Sequence, residues 1–136
     1  MPSNLGDQLR KIAERNKQKL GEVVKETVRD LGNQMIDNSP VKSGQFKNNW
    51  KGSVGAIDTD ASAEADTSGA VSKASIEAAL ENWKPGETVF VSNSLPYARR
   101  IETGWSGAAP AGVVAVTMAS AEQAVKRAVA KVNGNG

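Results

Sequence analysis

The feature that most limits what this chain can fold into is a helical period running without a break through its first quarter. From about Asn4 to Asp37, apolar residues return at steps of three, four or their sums: Leu5, Leu9, Ile12, Leu20, Val23, Val24, Thr27, Val28, Leu31 and Met35. On a 3.6-residue repeat these positions form one stripe, with Lys11, Glu14, Lys17, Glu22, Lys25, Glu26 and Arg29 mostly on the other face. Ser3 or Asn4 can cap the start, and Asp7 suits the positive end of the helix dipole. Gly21 and Gly32 each cost about 1 kcal/mol relative to Ala, so each marks a bend or a close helix contact. Asn38-Ser39-Pro40 ends the helix, because proline disfavours helical geometry in the residue before it.

The remainder is shorter-ranged. Phe46, Trp50 and Val54 in FKNNWKGSV share one face whether the segment is strand or helix, and a strand is the preferred reading. Residues 58–70, DTDASAEADTSGA, hold small and acidic residues and no large apolar group, which predicts a mobile acidic loop or hairpin tip. Ser72–Trp83 reads as a short helix with Ile76, Ala79, Leu80 and Trp83 on one side, and Lys84-Pro85-Gly86 as a turn. Thr88–Ser92, TVFVS, is the best strand. Tyr97–Glu102 predicts a helical turn and Gly104–Gly112 a Gly/Ala loop. A second amphipathic helix is expected over about Ala111–Val132, its stripe made of Val114, Met118, Ala121, Val125, Ala128, Val129 and Val132. Residues 133–136, NGNG, are expected to be a disordered tail. The sum is a single α+β domain over 1–136, a small antiparallel sheet packed against long N-terminal and C-terminal helices.

Composition removes whole classes of chemistry. Among the 136 residues there is no Cys and no His. Disulfides, thiolate metal sites, Cys nucleophiles and His-dependent triads are thereby excluded. No apolar run approaches the roughly 20 residues that span a bilayer. The start, MPSNLGDQLRK, lacks the basic and apolar regions of a signal peptide, so a soluble protein made in a cytoplasm is expected.

Short catalytic motifs fail on context. Ser39-Pro40-Val41-Lys42, Lys42-Ser43-Gly44 and Ser92-Asn93-Ser94 resemble the three motifs of penicillin-binding serine enzymes. Two of them would need the same Lys42, and the serine ends a helix where the nucleophile should open one. Gly104-Trp105-Ser106-Gly107-Ala108 approaches a nucleophile elbow but lacks the final Gly and has no His to take the proton. Asp58, Asp60, Glu64 and Asp66 miss the calcium-loop spacing, with Ala63 at the obligatory Gly and Gly69 at the bidentate Glu. No phosphate-binding loop occurs. No cofactor, metal or catalytic residue is expected, and the chain does not read as an enzyme.

The charges are segregated. Residues 1–51 carry 10 basic and 6 acidic side chains, residues 52–87 carry 2 and 7, and residues 88–136 carry 5 and 2. Opposite signs on different surfaces suit head-to-tail self-association. Arg10, Lys11, Arg15, Lys17 and Lys19 also leave open an alternative, a nucleic-acid-binding accessory protein. They are spread around the helix with Glu14 among them and lack stacking aromatics.

Two further segments, in order, carry a resemblance. The first is Asn38-Ser39-Pro40-Val41-Lys42-Ser43-Gly44-Gln45-Phe46, and the second, after the strand Val89–Asn93, is Pro96-Tyr97-Ala98-Arg99-Arg100-Ile101-Glu102-Thr103-Gly104. Pro40, Ser43, Gly44 and Phe46, then Tyr97, Ala98, Glu102 and Gly104, resemble the motifs of the small tailed-bacteriophage neck proteins, also called head–tail joining, tail-completion or minor tail components. The chain departs from that pattern in an apparent insertion over 58–83 and in Ala-Pro-Ala-Gly before the last helix. The resemblance implies a virion structural protein at the head–tail junction, assembled in the host cytoplasm. It implies a homo-oligomeric ring of six or twelve copies joining the head connector to the tail. Its partners would be portal- or adaptor-side and tail-side phage proteins, with DNA passing through the channel unread and no membrane involved.

Candidate partner-interface residues are Lys42, Ser43, Asp58, Asp60, Arg99, Arg100, Glu102 and Trp105. Arg99 or Arg100 is expected to pair with Glu102 or with an acid on a neighbour. Trp105, a large ring in a Gly-rich loop, is expected against a partner or against its own core.

Overall fold

The expected helix is present as α1 (Leu5–Asp37), unbroken by either glycine. The computed structural model describes residues 5–41, 44–104, 106–107, 109 and 111–135. After α1 come a single 3-10 turn (Lys47–Asn49), β1 (Trp50–Val54), α2 (Ala70–Asn82), β2 (Val89–Asn93), α3 (Ala98–Glu102), α4 (Val114–Met118) and α5 (Ala121–Asn135). The class is α+β, with long terminal helices and a small antiparallel sheet. β1 and β2 form a two-stranded ribbon in which Trp50 faces Asn93, Gly52 faces Val91 and Val54 faces Val89.

β1 is shielded on its far side by α2. The Ser72 hydroxyl accepts the Trp50 N–H at 3.1 Å and donates to the Lys47 carbonyl at 2.7 Å. The Ser75 hydroxyl accepts the Gly52 N–H at 3.0 Å. Two strand donors that would otherwise be buried without partners are thus satisfied by helix side chains. The approach is close because residue 52 has no side chain: a Cβ there would lie 2.7 Å from Ile76 Cα and 3.0 Å from the Ser75 carbonyl oxygen.

α1 is the spine between two neighbours. Gly21 faces Pro85 and Trp83, and Gly32 faces Ile76, where a Cβ would lie 2.7 Å from Cδ1. The two glycines, about three turns apart, therefore mark the face of α1 that meets α2 and the turn after it. Lys73 adds an ion pair to Asp37 at 3.0 Å, and Arg29 pairs with both Glu77 and Glu26. The opposite face carries α5. Ser120 lies against Gln34 (3.0 Å), Arg127 pairs with Asp30 (2.8 Å) and Lys131 with Glu26 (2.9 Å), so α5 runs antiparallel to α1.

The core lies where α1, α2, the ribbon and the last loop converge: Met35, Ile36, Phe46, Trp50, Ile76, Leu80, Leu95, Ala109 and Val113. The Trp50 indole N–H donates to the Ser39 hydroxyl at 2.8 Å, which itself donates to the Met35 carbonyl at 2.6 Å. Ser39 thereby ends α1 and anchors the central tryptophan.

Three expectations differ from this structure. The last helix is divided at Ala119-Ser120, where the Ser120 hydroxyl turns back to the Thr117 carbonyl at 2.8 Å and its carbonyl accepts the Ala124 N–H that opens α5. α5 also continues to Asn135, into the segment expected to be a disordered tail. Finally, several stripe residues are not covered. α5 meets α1 through the small Ala124 and Ala128, leaving Val125 and Val129 exposed, and Leu5, Leu9, Ile12 and Leu20 are exposed on α1. Among the described residues no helix is long and apolar enough to cross a membrane.

Gly52→Ala is expected to destabilise the fold by about 1–3 kcal/mol, because the added methyl meets helix backbone that cannot rotate away. A lower urea midpoint with an unchanged slope would report it.

Candidate functional site

The two motif segments fold against each other. Phe46 packs edge-on to Trp50 with ring centroids 5.5 Å apart, and tilted against Tyr97 at 6.4 Å. The Asn93 side-chain amide donates to the Phe46 carbonyl at 2.8 Å, and the Tyr97 hydroxyl donates to the Gln45 side-chain oxygen at 3.3 Å. Tyr97 thus has its ring in the core and its hydroxyl partnered, and burial pushes its pKa up. Gly44 supplies a turn within the first segment, with φ at +85° and room for no side chain: a Cβ would lie 2.8 Å from the Asp66 carbonyl carbon.

Glu102 does something the sequence did not indicate. Its Oε1 accepts the N–H groups of Val113 (2.9 Å) and Val114 (2.8 Å), and its Oε2 accepts that of Ala115 (2.9 Å). The expected arginine partner is replaced by three backbone donors at the start of α4, groups that no earlier turn of helix can satisfy. Burial pushes the carboxyl up, but the three donors together outweigh it and hold the group below the ordinary glutamate range. Gly112 is required beside it, since at φ +86° a Cβ would lie 2.5 Å from the Glu102 carbonyl oxygen. Glu102 is therefore an internal latch that closes the loop after Gly104 onto α3.

The other candidates divide by location. Arg99 and Arg100 are exposed on α3. Asp58 is half-buried; its carboxylate accepts the Asp60 N–H at 2.9 Å, and its carbonyl is approached by the hydroxyls of Ser92 (3.3 Å) and Ser94 (3.5 Å). Asp60 is exposed. The structure therefore puts bases and acids on separate elements, the arginines on α3 and the aspartates beside the end of β2. Lys42, Ser43 and Trp105 lie outside the described residues.

Asn49 is the residue that sequence reasoning missed. It is fully buried, and its side chain holds the 58–70 segment. The amide donates to the Gln45 carbonyl (2.7 Å) and the Ser62 carbonyl (2.9 Å), and its oxygen accepts the Ser62 N–H (2.7 Å). Asn48 adds a longer contact to the Glu64 carbonyl at 3.3 Å, and the Asp66 N–H donates to the Gly44 carbonyl at 3.2 Å. The acidic segment, expected to be mobile, has its backbone tied at three places while Asp60 and Glu64 stay exposed. The Ser68 hydroxyl, and then its N–H, donate to Asp66 and hold that carboxyl below the ordinary aspartate range. Among the described residues no three acids converge as a metal site.

Two measurements check this geometry. Glu102→Gln is expected to cost about 1–3 kcal/mol at neutral pH, since it weakens charge-assisted bonds and leaves an N–H without its anion. A native pKa held below the unfolded one stabilises the fold above the unfolded value. That contribution fades as pH falls through the lower native value, so the stability gap between wild type and Glu102→Gln closes in acid. Urea titrations across that range would read it. For Asn49→Ala, hydrogen exchange should quicken at the Ser62 amide, which is protected in the isolated wild-type chain. No family model matches the chain, and neither a curated protein nor a solved structure does.

Proposed function

We propose that this chain is a structural component of the bacteriophage head–tail junction, acting by assembly rather than catalysis. Copies would form a ring around the DNA exit channel, with portal- or adaptor-side proteins above and tail-side proteins below. The observation that carries this reading is the motif pair. Segments far apart in the chain, which resemble the neck-protein pattern in order and spacing, meet at Phe46 and Tyr97, and Glu102 sets the loop that leads into the terminal helices. Separated charge and uncovered aliphatic residues at the surface supply what heterologous contacts between copies require. No side chain in this reading performs chemistry, and DNA is a passenger in the channel.

The test is electron microscopy of assembled particles with a labelled antibody against the chain. Label at the head–tail joint, with rings in the purified protein, is the expected result. Tight DNA binding with a steep salt dependence, and no label on particles, would instead point to a nucleic-acid-binding accessory protein.

A further inference from the structure

The apolar stripe of α1 is covered for only half its length. Over Val23–Gln34, α5 lies on the line through Glu26, Asp30 and Gln34. Toward the N-terminus the same side of the helix carries Ile12, Leu5 and Leu9, with Leu20 at its edge, but α5, which ends at Asn135, runs out about one turn beyond Glu26. From Leu5 to Leu20 every residue is exposed except the half-buried Asp7 and Lys19. The aliphatic side chains stand out strongly: Leu5 is 69% exposed, Leu9 57%, Ile12 50% and Leu20 65%. This arm of 16 residues is about 24 Å long, and its last turns lie beside the end of α5 and the turn at Trp83 and Pro85. Its root is an open groove of about 700 Å³ between Lys19, Glu22 and Lys131, where the cover stops.

The charges around the stripe select its occupant. On a 3.6-residue helix Arg15 and Lys19 flank the stripe on one side, Arg10 and Lys17 on the other, while Asp7 and Glu14 sit on the back. Two such arms would repel each other. The complementary surface is on the chain itself: residues 52–72 carry Asp58, Asp60, Glu64 and Asp66 and no base, with Ile57 53% and Val71 50% exposed at its borders.

The arm cannot reach this surface in its own molecule. Gly69 packs against Ile36, so the acidic segment lies at the far end of α1. Ile12 and Ile36 are held about 36 Å apart by the continuous helix between them.

We propose that the α1 arm, residues 5–20, docks on the acidic 57–71 segment of a second copy of this chain. Leu5, Leu9 and Ile12 meet the apolar border, and Arg15 and Lys19 face the carboxylates. The contact uses unlike surfaces on the two copies, so it propagates head to tail and closes as a ring or grows as a filament. This inference rests on the ring reading above, for which it supplies the contact.

Self-association of the full chain, followed by sedimentation velocity over a concentration and salt series, tests it. Leu9→Glu with Ile12→Glu should weaken association at least tenfold, as should Asp58→Lys with Asp60→Lys. Leu9, Ile12 and Asp60 are exposed, and the half-buried Asp58 uses its carboxylate only on the neighbouring Asp60 N–H; an unchanged circular dichroism spectrum is the check that both pairs keep the fold. Combining Asp58→Lys and Asp60→Lys with Arg15→Glu and Lys19→Glu in one chain should restore association. Association that ignores all these changes overturns the proposal. So does a wild-type chain that stays monomeric while its arm binds anionic phosphatidylserine vesicles or duplex DNA. Rings that persist in Leu9→Glu/Ile12→Glu sink the arm contact and leave the neck reading standing. Absence of the chain from particles, with arm-dependent association intact, sinks the neck reading and leaves the contact.

Discussion

Two strands in water do not hold themselves together: each exposes a line of backbone donors and acceptors, and neither has a second sheet to lean on. The ribbon here persists because α2 lies against the outer side of β1 and supplies hydroxyls in place of a third strand. Ser72 and Ser75 take the N–H groups of Trp50 and Gly52, and Gly52 lets the helix come close enough for them to do so. Much else follows from that approach. α2 must be delivered to the strand by the acidic segment, so Asn49 fixes the path of that segment. α1 must then accommodate α2, so it offers Gly32 where Ile76 arrives.

The surface acid and the buried amide exchange the roles they usually have. Glu102, charged and in a motif that suggests an interface, spends both oxygens on backbone donors inside its own chain. Asn49, an uncharged residue of no evident motif, controls where four carboxylates are displayed. In the ring assembly proposed above, both residues would hold in place the segments that a neighbouring copy meets.

The sequence was most readable where a single period ran long. α1, α2, β2 and the stop at Pro40 could be located because apolar spacing and a proline are local signals. Phe46, Trp50 and Tyr97 could be assigned to the core because large rings have few other places to go. What periodicity could not separate was a stripe buried by its own molecule from one that is not, so Leu5 and Leu9 looked the same as Val23 and Val28. Nor could it show that α5 would meet α1 through alanines and leave its valines outside. The latch at Glu102 and the anchor at Asn49 depend on residues brought together across 11 to 13 positions of irregular chain, where no repeat guides the eye.

α1 passes from an uncovered end to a base clasped on opposite faces, with no kink between them. It therefore works as a ruler. Anything seated on the free end is fixed in distance and in rotational phase relative to the base, about 1.5 Å and 100° for each intervening residue. The residue count between Leu20 and Gly32 then becomes a geometric parameter of whatever is built from this molecule. One residue more or fewer would swing the free end sideways around the axis, and only a change of about a full turn would return it to the same bearing at a new reach.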